Sequence, residues 1–152
     1  MTRVVFLLVP RLHLLDLAGP AQVFSTAADH GHGYEIAYVA EEEDITTAQG
    51  VVLRAATTWP ELTPEDLIVV PGWRIGVPRD ACPGSIPPLG PELSPATLER
   101  LVAHHAAGGT VASVCAGADV LGRAGLLDGR RCTTHHDVQD ALARRYPRAT
   151  VV

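Results

Sequence analysis

The sequence lacks a basic surface, a long apolar run and any internal repeat. Lys and Arg number 12 against 17 Asp and Glu, and no segment gathers the basic residues. This excludes nucleic-acid contact by this segment itself, because such contact needs clustered positive charge. The apolar run at residues 4–9 is too short to span a bilayer and does not continue into a signal-peptide pattern. We expect a cytoplasmic protein with no membrane partner, and we expect no cofactor.

Cysteine is scarce, and its three positions form no pattern. Cys82, Cys115 and Cys132 have neither the paired spacing of a metal site nor the even number of a disulfide framework, which favours a reducing compartment. Histidines occur in close pairs, at positions 30 and 32, 104 and 105, and 135 and 136. Adjacent histidines on strands and helices usually point apart, so these pairs do not predict a metal site.

What the chain does contain is a regular alternation of strand and helix patterns. Strands are predicted at residues 3–9, 34–40, 66–70, 110–114, 130–134 and 148–152, and a weaker one, suited to a hairpin, at 51–55. Helices are predicted from Gly19-Pro20 to residue 29, and at 95–107, 116–124 and 137–146. This alternation predicts an α/β protein with a mainly parallel sheet and helices on both faces.

Two segments fall outside the alternation. Residues 41–44 are predicted to be a solvated acidic turn, and residues 74–95 an irregular loop rich in proline and glycine. A loop of that length is either a lid or a variable surface connection. Cys82 lies within it and is expected to be exposed and oxidisable, whereas Cys132 lies in a predicted strand and is expected in the core.

The most informative stretch runs over residues 108–135, where a predicted strand leads through Cys115 into a helix. Ser113 and Gly117 leave room for a sharp turn, as in the nucleophile elbow of hydrolases. A thiol at that turn would face the unpaired N–H groups of the helix, which favour thiolate over thiol. The alternative is that Cys115 is a buried small hydrophobe, the usual role of a free cysteine.

Four side chains are predicted to meet at one edge of the sheet. Asp16, Trp73, Cys115 and His135 each follow a predicted strand, and ligands of open parallel sheets bind beyond the carboxyl ends of the strands. The alternatives are ordinary ones: Asp16 could cap the following helix, and His135 could be a satisfied, partly buried histidine.

Three motifs carry a resemblance to a known family. The segment SVCAGADVLGRAGLLDGRRCTTH, with DLAGP at residues 16–20 and IVVPG at 68–72, resembles the ThiJ/PfpI superfamily, which has the class I glutamine amidotransferase-like fold. The resemblance is to the branch formed by isonitrile hydratases and the sensor domains of GlxA-type AraC-family transcriptional regulators. It covers essentially the whole chain and implies a flavodoxin-like three-layer sandwich, commonly dimeric.

The resemblance also implies roles for particular residues. The catalytic positions would be Cys115 at the elbow, Asp16 beside it and His135 of the TTH motif. The amides that would hold an anionic intermediate or a ligand are those of Gly72, Trp73 and Ala116.

The sequence departs from the enzymatic members of this family at several positions. Ala116 follows the cysteine where they often have threonine, and Trp73 stands where they often have a second glycine. His136 replaces an aromatic residue that usually follows the TTH motif. Cys115 is not followed directly by a histidine, which argues against the protease-like and amidotransferase-like branch.

Together these observations predict one ThiJ/PfpI-like α/β domain over residues 1–152, without its last strand and helix and without a DNA-binding domain. An apolar edge left open in this way predicts weak stability or self-association. The expected function is that of a ligand-sensing and dimerising domain of a GlxA-type regulator, with a small-molecule pocket at Cys115, a homodimeric partner and DNA contact only through a missing C-terminal domain. The alternative is an isonitrile hydratase-like enzyme in which Cys115 attacks the isonitrile and an N-substituted formamide is released.

Overall fold

The structure, a computed structural model, describes residues 1–76 and 89–152. In chain order the elements are β1 (Thr2–Leu8), α1 (Leu14–Asp29), β2 (Tyr34–Ala40), β3 (Asp44–Thr46), β4 (Val52–Arg54), β5 (Leu67–Val70), α2 (Pro95–Ala106), β6 (Thr110–Ser113), α3 (Ala118–Arg123), β7 (Arg131–Cys132), α4 (Gln139–Arg145) and β8 (Thr150–Val151). Most of the loop predicted at residues 74–95, including Cys82, lies outside the described residues.

The main sheet is parallel and is organised around β1. Among the described residues it has four strands in the order β2-β1-β5-β6. Residues 4–9 are at most 2% exposed, because an unbroken run of Val, Phe and Leu buries both faces of the strand. Helix α1 packs on β2, and α2 and α3 pack on β6. The predicted α/β fold with a mainly parallel sheet is therefore confirmed.

Helix α1 begins earlier than predicted. It starts at Leu14, whereas Gly19-Pro20 was expected to be its entry, and Pro20 therefore lies inside it. Leu17 and Ala21 are buried four residues apart on one face, so burial of this face extends the helix toward its N-terminus. Pro20 lacks only the N–H that would bond to the carbonyl of Asp16. Asp16 consequently stands in the first helical turn and not in a loop.

Two smaller sheets stand apart from the main sheet, and the second of them corrects the prediction for the last third of the chain. Strands β3 and β4 form an antiparallel hairpin, as suggested for residues 51–55. The strand predicted at 130–134 is limited to β7, which pairs in parallel with β8 and not with the main sheet. Strand β7 ends at Cys132, and a 3₁₀ turn begins at His136. Contrary to the prediction, His135 therefore does not stand at the end of a strand of the main sheet.

The predicted acidic turn is not simply solvated. Glu41 accepts hydrogen bonds from the Ser94 amide at 2.8 Å and the Ser94 hydroxyl at 2.7 Å, and from the Thr97 hydroxyl at 2.5 Å. Ser94 itself caps α2 by accepting from the Thr97 amide, as its position before proline predicts. Glu41 thus ties the end of β2 to the start of α2. In the described ranges, none of the helices is long and apolar enough to cross a membrane.

A buried carboxylate fastens the beginnings of β1 and β5. Asp66 is 3% exposed and accepts hydrogen bonds from the amide of Arg3 at 2.6 Å and from the amide of Thr63 at 2.6 Å. Burial alone would raise the pKa of Asp66, but the hydrogen bonds from Thr63 and Arg3 outweigh burial and lower this pKa below its ordinary value.

We predict that Asp66→Asn lowers the free energy of unfolding by about 1–3 kcal/mol at neutral pH, because an amide group then faces a backbone donor. A folded-state pKa below the unfolded value stabilises the protein above the ordinary aspartate pKa of about 3.9, and this stabilisation is lost as the pH falls. The difference between the two proteins in urea unfolding should therefore shrink in acid. Glu42→Gln, at an exposed residue, is the charge-matched control; an equal effect of both variants would contradict the assignment.

Candidate active site

Cys115 occupies a sharp turn between β6 and α3. Its φ angle is 55°, in the left-handed region that only a few non-glycine residues adopt. A 3₁₀ turn at Cys115–Gly117 follows and passes directly into α3. The strand, turn and helix predicted for this stretch are thus all present. That the thiol acts as a nucleophile stays a prediction.

The turn is held against the end of β5 by Gly117. The Val114 amide donates to the carbonyl oxygen of Val70 at 2.9 Å. A Cβ on Gly117 would lie 2.2 Å from the same oxygen, far inside van der Waals contact. Only glycine lets the turn approach β5 this closely. The carbonyl of Cys115 accepts a further hydrogen bond from the Thr134 hydroxyl at 2.9 Å, so the TTH segment also joins the turn.

Asp16 and Cys115 meet across Gly72. A Cβ on Gly72 would lie 2.5 Å from Oδ2 of Asp16, 2.7 Å from Cβ of Cys115 and 3.0 Å from the amide nitrogen of Ala116. The first turn of α1, the end of β5 and the Cys115 turn therefore share a space that no side chain on Gly72 could enter. Two of the predicted catalytic residues, Asp16 and Cys115, are brought together here.

The Asp16 carboxyl has few partners of its own. Its Oδ2 atom is buried and receives no hydrogen bond of normal geometry from the described residues. The Cys115 thiol is close enough to this carboxyl for a weak S–H···O interaction. A thiol donating to a carboxylate is a favourable pair, whereas a thiolate beside a carboxylate is repelled.

The pKa of Cys115 is shifted in the opposite direction from the one that its position before a helix suggests. Burial raises the pKa of Cys115, and the negative charge of Asp16 and the hydrogen bond to it raise this pKa further. The Ala116 amide lowers the pKa of Cys115, but it does not compensate. The expectation of a thiolate activated by the helix N-terminus is therefore wrong for this environment. The one nearby amide, that of Ala116, lowers the pKa by less than burial and the Asp16 carboxylate raise it.

Trp73 forms a wall at the same edge of the sheet. Its side chain is 2% exposed, and its indole Nε1 donates to the carbonyl of Leu89 at 2.7 Å. Gly90 lies flat against the indole, since a Cβ there would be 2.1 Å from a ring carbon. A cavity of about 290 Å³ opens beside the ring, lined by Pro10, Arg11, Trp73, Arg74, Ile75, Gly76, Leu89, Gly90 and Pro91. Cys115 does not line this cavity.

The main chain at Gly72 and Trp73 is fixed by the loop after β1. The amide of His13 donates to the carbonyl of Gly72, and the amide of Arg74 donates to the carbonyl of Arg11, both at 2.9 Å. Within residues 1–76 and 89–152, neither the Gly72 nor the Trp73 amide donates a hydrogen bond. Both residues are buried, so these two N–H groups suit the donor role implied for them, while the Ala116 amide lies beside the Cys115 sulfur.

His135 is placed apart from the other two predicted catalytic residues. Its ring stacks on His136 with 4.2 Å between centroids, and its Nδ1 accepts from the Asp137 amide at 3.3 Å. The contacts of its ring in the described part of the chain do not include Cys115 or Asp16. The link between this segment and the turn is the Thr134 hydroxyl.

The predicted site does not include a buried ionic cluster behind the turn. Asp119 is 2% exposed, accepts from the Tyr146 hydroxyl at 2.8 Å and lies 3.0 Å from Nη2 of Arg123. Arg123 also donates to the carbonyl of Pro91 at 2.7 Å. The cluster thus connects α3 to α4 and to the segment that covers Trp73. The sequence signal for this cluster is the pair of Asp119 and Arg123, an acidic and a basic residue four positions apart in a predicted helix.

Comparison with known proteins gives relatives over nearly the full chain. The sequence profile of the DJ-1/PfpI family matches residues 2–152. A Streptomyces lividans protein, the uncharacterized protein in the cpoL 5' region, is 44% identical over 146 residues, which is 95% of this chain and 95% of that protein. The isonitrile hydratase of Pseudomonas putida is 33% identical over 138 residues, which is 90% of this chain and 54% of the hydratase.

Among solved structures, an AraC family transcriptional regulator from Pseudomonas putida superposes with a TM-score of 0.74 at 24% identity. The superposition covers 100% of this chain and 76% of the regulator chain. At that identity the likeness shows a shared fold alone.

We predict that Gly72→Ala destabilises the protein by about 1–3 kcal/mol, because the added methyl group overlaps Asp16 and Cys115. Gly33→Ala is the matched control: it adds the same methyl group before β2, where the nearest atom beyond its chain neighbours is Cα of Met1 at 3.7 Å, an ordinary van der Waals contact. The control should leave stability unchanged or raise it by up to about 1 kcal/mol. Thermal unfolding with equal losses for the two variants would show that Gly72 is not a point of close packing.

We also predict that both Asp16→Asn and Asp16→Ala increase the alkylation rate of Cys115 by iodoacetamide several-fold at neutral pH. Each variant removes the charge that raises the pKa of the thiol, and the thiolate is the reactive form. Asp29→Asn, at the other end of α1, is the control for loss of charge. Rates are followed by mass spectrometry of the Cys115 peptide, and a slower reaction in Asp16→Asn would contradict the geometry described.

Proposed function

The chain belongs to the DJ-1/PfpI family, and we propose that within it the chain is the ligand-sensing and dimerising domain of a GlxA-type AraC-family transcriptional regulator. The proposal includes a small-molecule ligand, a homodimer, and DNA contact only through a separate domain. The net charge of −5 fits a domain that does not itself contact DNA.

The observation that carries this proposal is the packing of Cys115 against the Asp16 carboxyl at Gly72. Burial and Asp16 raise the pKa of Cys115, which disfavours the thiolate that nucleophilic attack needs. A thiol that donates weakly to a buried carboxyl is suited to a protein that binds a ligand without reacting with it. Binding without turnover needs no thiolate, whereas attack on an electrophilic carbon does.

Trp73 supports the same proposal. The buried indole, held by its hydrogen bond to the Leu89 carbonyl, fills space that a glycine at this position would leave open. The cavity beside the ring is of a size for a small ligand and combines an aromatic surface with Arg11 and Arg74. Trp73 lines this cavity, and its amide donates no hydrogen bond to an acceptor in residues 1–76 and 89–152.

The second candidate is an isonitrile hydratase-like enzyme, favoured by the 33% identity to that hydratase and by the pairing of Cys115 with Asp16. The Cys115 sulfur would bond to the terminal isonitrile carbon, which gains a proton and becomes a thioimidate. Water would then add to the same carbon, the C–S bond would break, and the thiol and an N-substituted formamide would leave. Asp16 would move the protons in both steps.

Incubation with cyclohexyl isocyanide separates the two candidates. We predict that the formamide, measured by chromatography, forms no faster with the protein than with Cys115→Ser, because a neutral thiol is not activated for attack. Cys132→Ser controls for the other described free cysteine. Formamide production that persists in Cys132→Ser and disappears in Cys115→Ser would replace the sensor proposal with the hydratase. A monomer in sedimentation velocity would contradict the dimerising role.

A further inference from the structure

Three consecutive residues with metal-binding side chains converge after β7. His135, His136 and Asp137 each offer one ligand atom, and these atoms all lie within 4.8 Å of one another. Nδ1 of His135 is 3.7 Å from Oδ2 of Asp137, and Nε2 of His136 is 3.1 Å from Oδ1 of Asp137.

The backbone explains why these neighbouring histidines do not point apart. They stand at the start of a 3₁₀ turn, with His135 at its N-cap and His136 as its first residue. An extended N-cap residue followed by a helical one turns both rings to the same side, where they stack with an interplanar angle of 31°. The argument from strand and helix periodicity therefore does not apply to this pair.

The separations suit one ion. With metal–ligand distances of about 2.0–2.1 Å, two ligands of a tetrahedral ion are about 3.3 Å apart. Nε2 of His136 lies 3.1 Å from Oδ1 and Nδ1 of His135 lies 3.7 Å from Oδ2 of the same carboxylate, so each imidazole is near this separation from one carboxylate oxygen. Nδ1 of His135 accepts a hydrogen bond from the Asp137 amide at 3.3 Å, so the proton of the neutral ring lies on Nε2, and an ion at Nδ1 takes the lone pair from this long hydrogen bond.

The turn is anchored on both sides, so little ordering is needed on binding. The Thr133 hydroxyl donates to the carbonyl of Val152 at 2.6 Å, and the Thr134 hydroxyl donates to the carbonyl of Cys115 at 2.9 Å. On the other side, Gln139 donates to the Thr133 hydroxyl at 3.3 Å. The side chains of His136 and Asp137 are 79% and 70% exposed, which leaves the remaining coordination positions to water.

We propose that His135, His136 and Asp137 form a surface site for a divalent ion of the zinc class, such as Zn²⁺, Co²⁺ or Ni²⁺. Two imidazole nitrogens and one carboxylate oxygen are a ligand set that these borderline ions favour over Mg²⁺ or Ca²⁺. Because Thr134 bonds to the Cys115 carbonyl, an ion at this site lies on the segment that joins the Cys115 turn. The proposal reverses the expectation that no metal binds, and it does not depend on the proposed function.

The test is titration of the untagged full chain with Co²⁺, followed by visible absorption, and with Zn²⁺, followed by calorimetry. We expect one saturable site whose affinity falls at least about tenfold in His136→Ala and in Asp137→Asn. Both residues are exposed, so the melting temperatures of the two variants should match that of the parent protein. His30→Ala/His32→Ala, which removes another exposed histidine pair, should bind as the parent does.

Several outcomes would overturn the proposal. They are absence of saturable Co²⁺ and Zn²⁺ binding up to millimolar ion, unchanged affinity in both His136→Ala and Asp137→Asn, or loss of binding in the His30/His32 variant. A sulfur-to-cobalt charge-transfer band in the near ultraviolet that disappears in Cys115→Ser or Cys132→Ser would assign the ion to a thiol instead. Calcium or magnesium competing equally with Zn²⁺ would contradict the ligand set.

Discussion

The site depends on the close approach of three chain segments at Gly72. The first turn of α1, the end of β5 and the Cys115 turn occupy a volume in which a Cβ would lie 2.5 Å from one atom and 2.7 Å from another. Gly117 is packed just as closely, because a Cβ there would lie 2.2 Å from the carbonyl oxygen of Val70. Close-packed interiors have little free space for side chains to shift. The positions of Asp16 and Cys115 are therefore set by the packing of the backbone around Gly72 and not by the hydrogen bond between them.

This packing also decides the chemistry. Burial and the neighbouring Asp16 carboxyl both raise the pKa of the Cys115 thiol, and the Ala116 amide at the same turn lowers it by less. Trp73 is held by the Leu89 carbonyl and lines a cavity that Cys115 does not line. The buried pair of Asp119 and Arg123 holds another wall of that cavity, because Arg123 donates to the carbonyl of Pro91.

The sequence predicts the central fold well, because β1 and β2 are strong local patterns, and the predicted bounds of β2 are those observed. The start of α1 was placed too late, since Pro20 is a strong local signal but burial of Leu17 and Ala21 outweighs it. Family motifs place Asp16 beside Cys115, but the protonation of the thiol depends on distances that no motif contains. The contact between the tilted rings of His135 and His136 likewise depends on the backbone of the 3₁₀ turn at His136–Val138, which no motif predicts.

The most direct measurement of the central claim is the titration of Cys115 itself. Protein labelled with ¹³Cβ-cysteine gives a separate resonance for each cysteine, and its chemical shift follows ionisation of the thiol. The packing described here predicts that Cys115 titrates above free N-acetylcysteine measured in the same buffer. A Cys115 resonance that titrates below this reference would mean that the helix terminus outweighs burial and Asp16, and would contradict the account of the site.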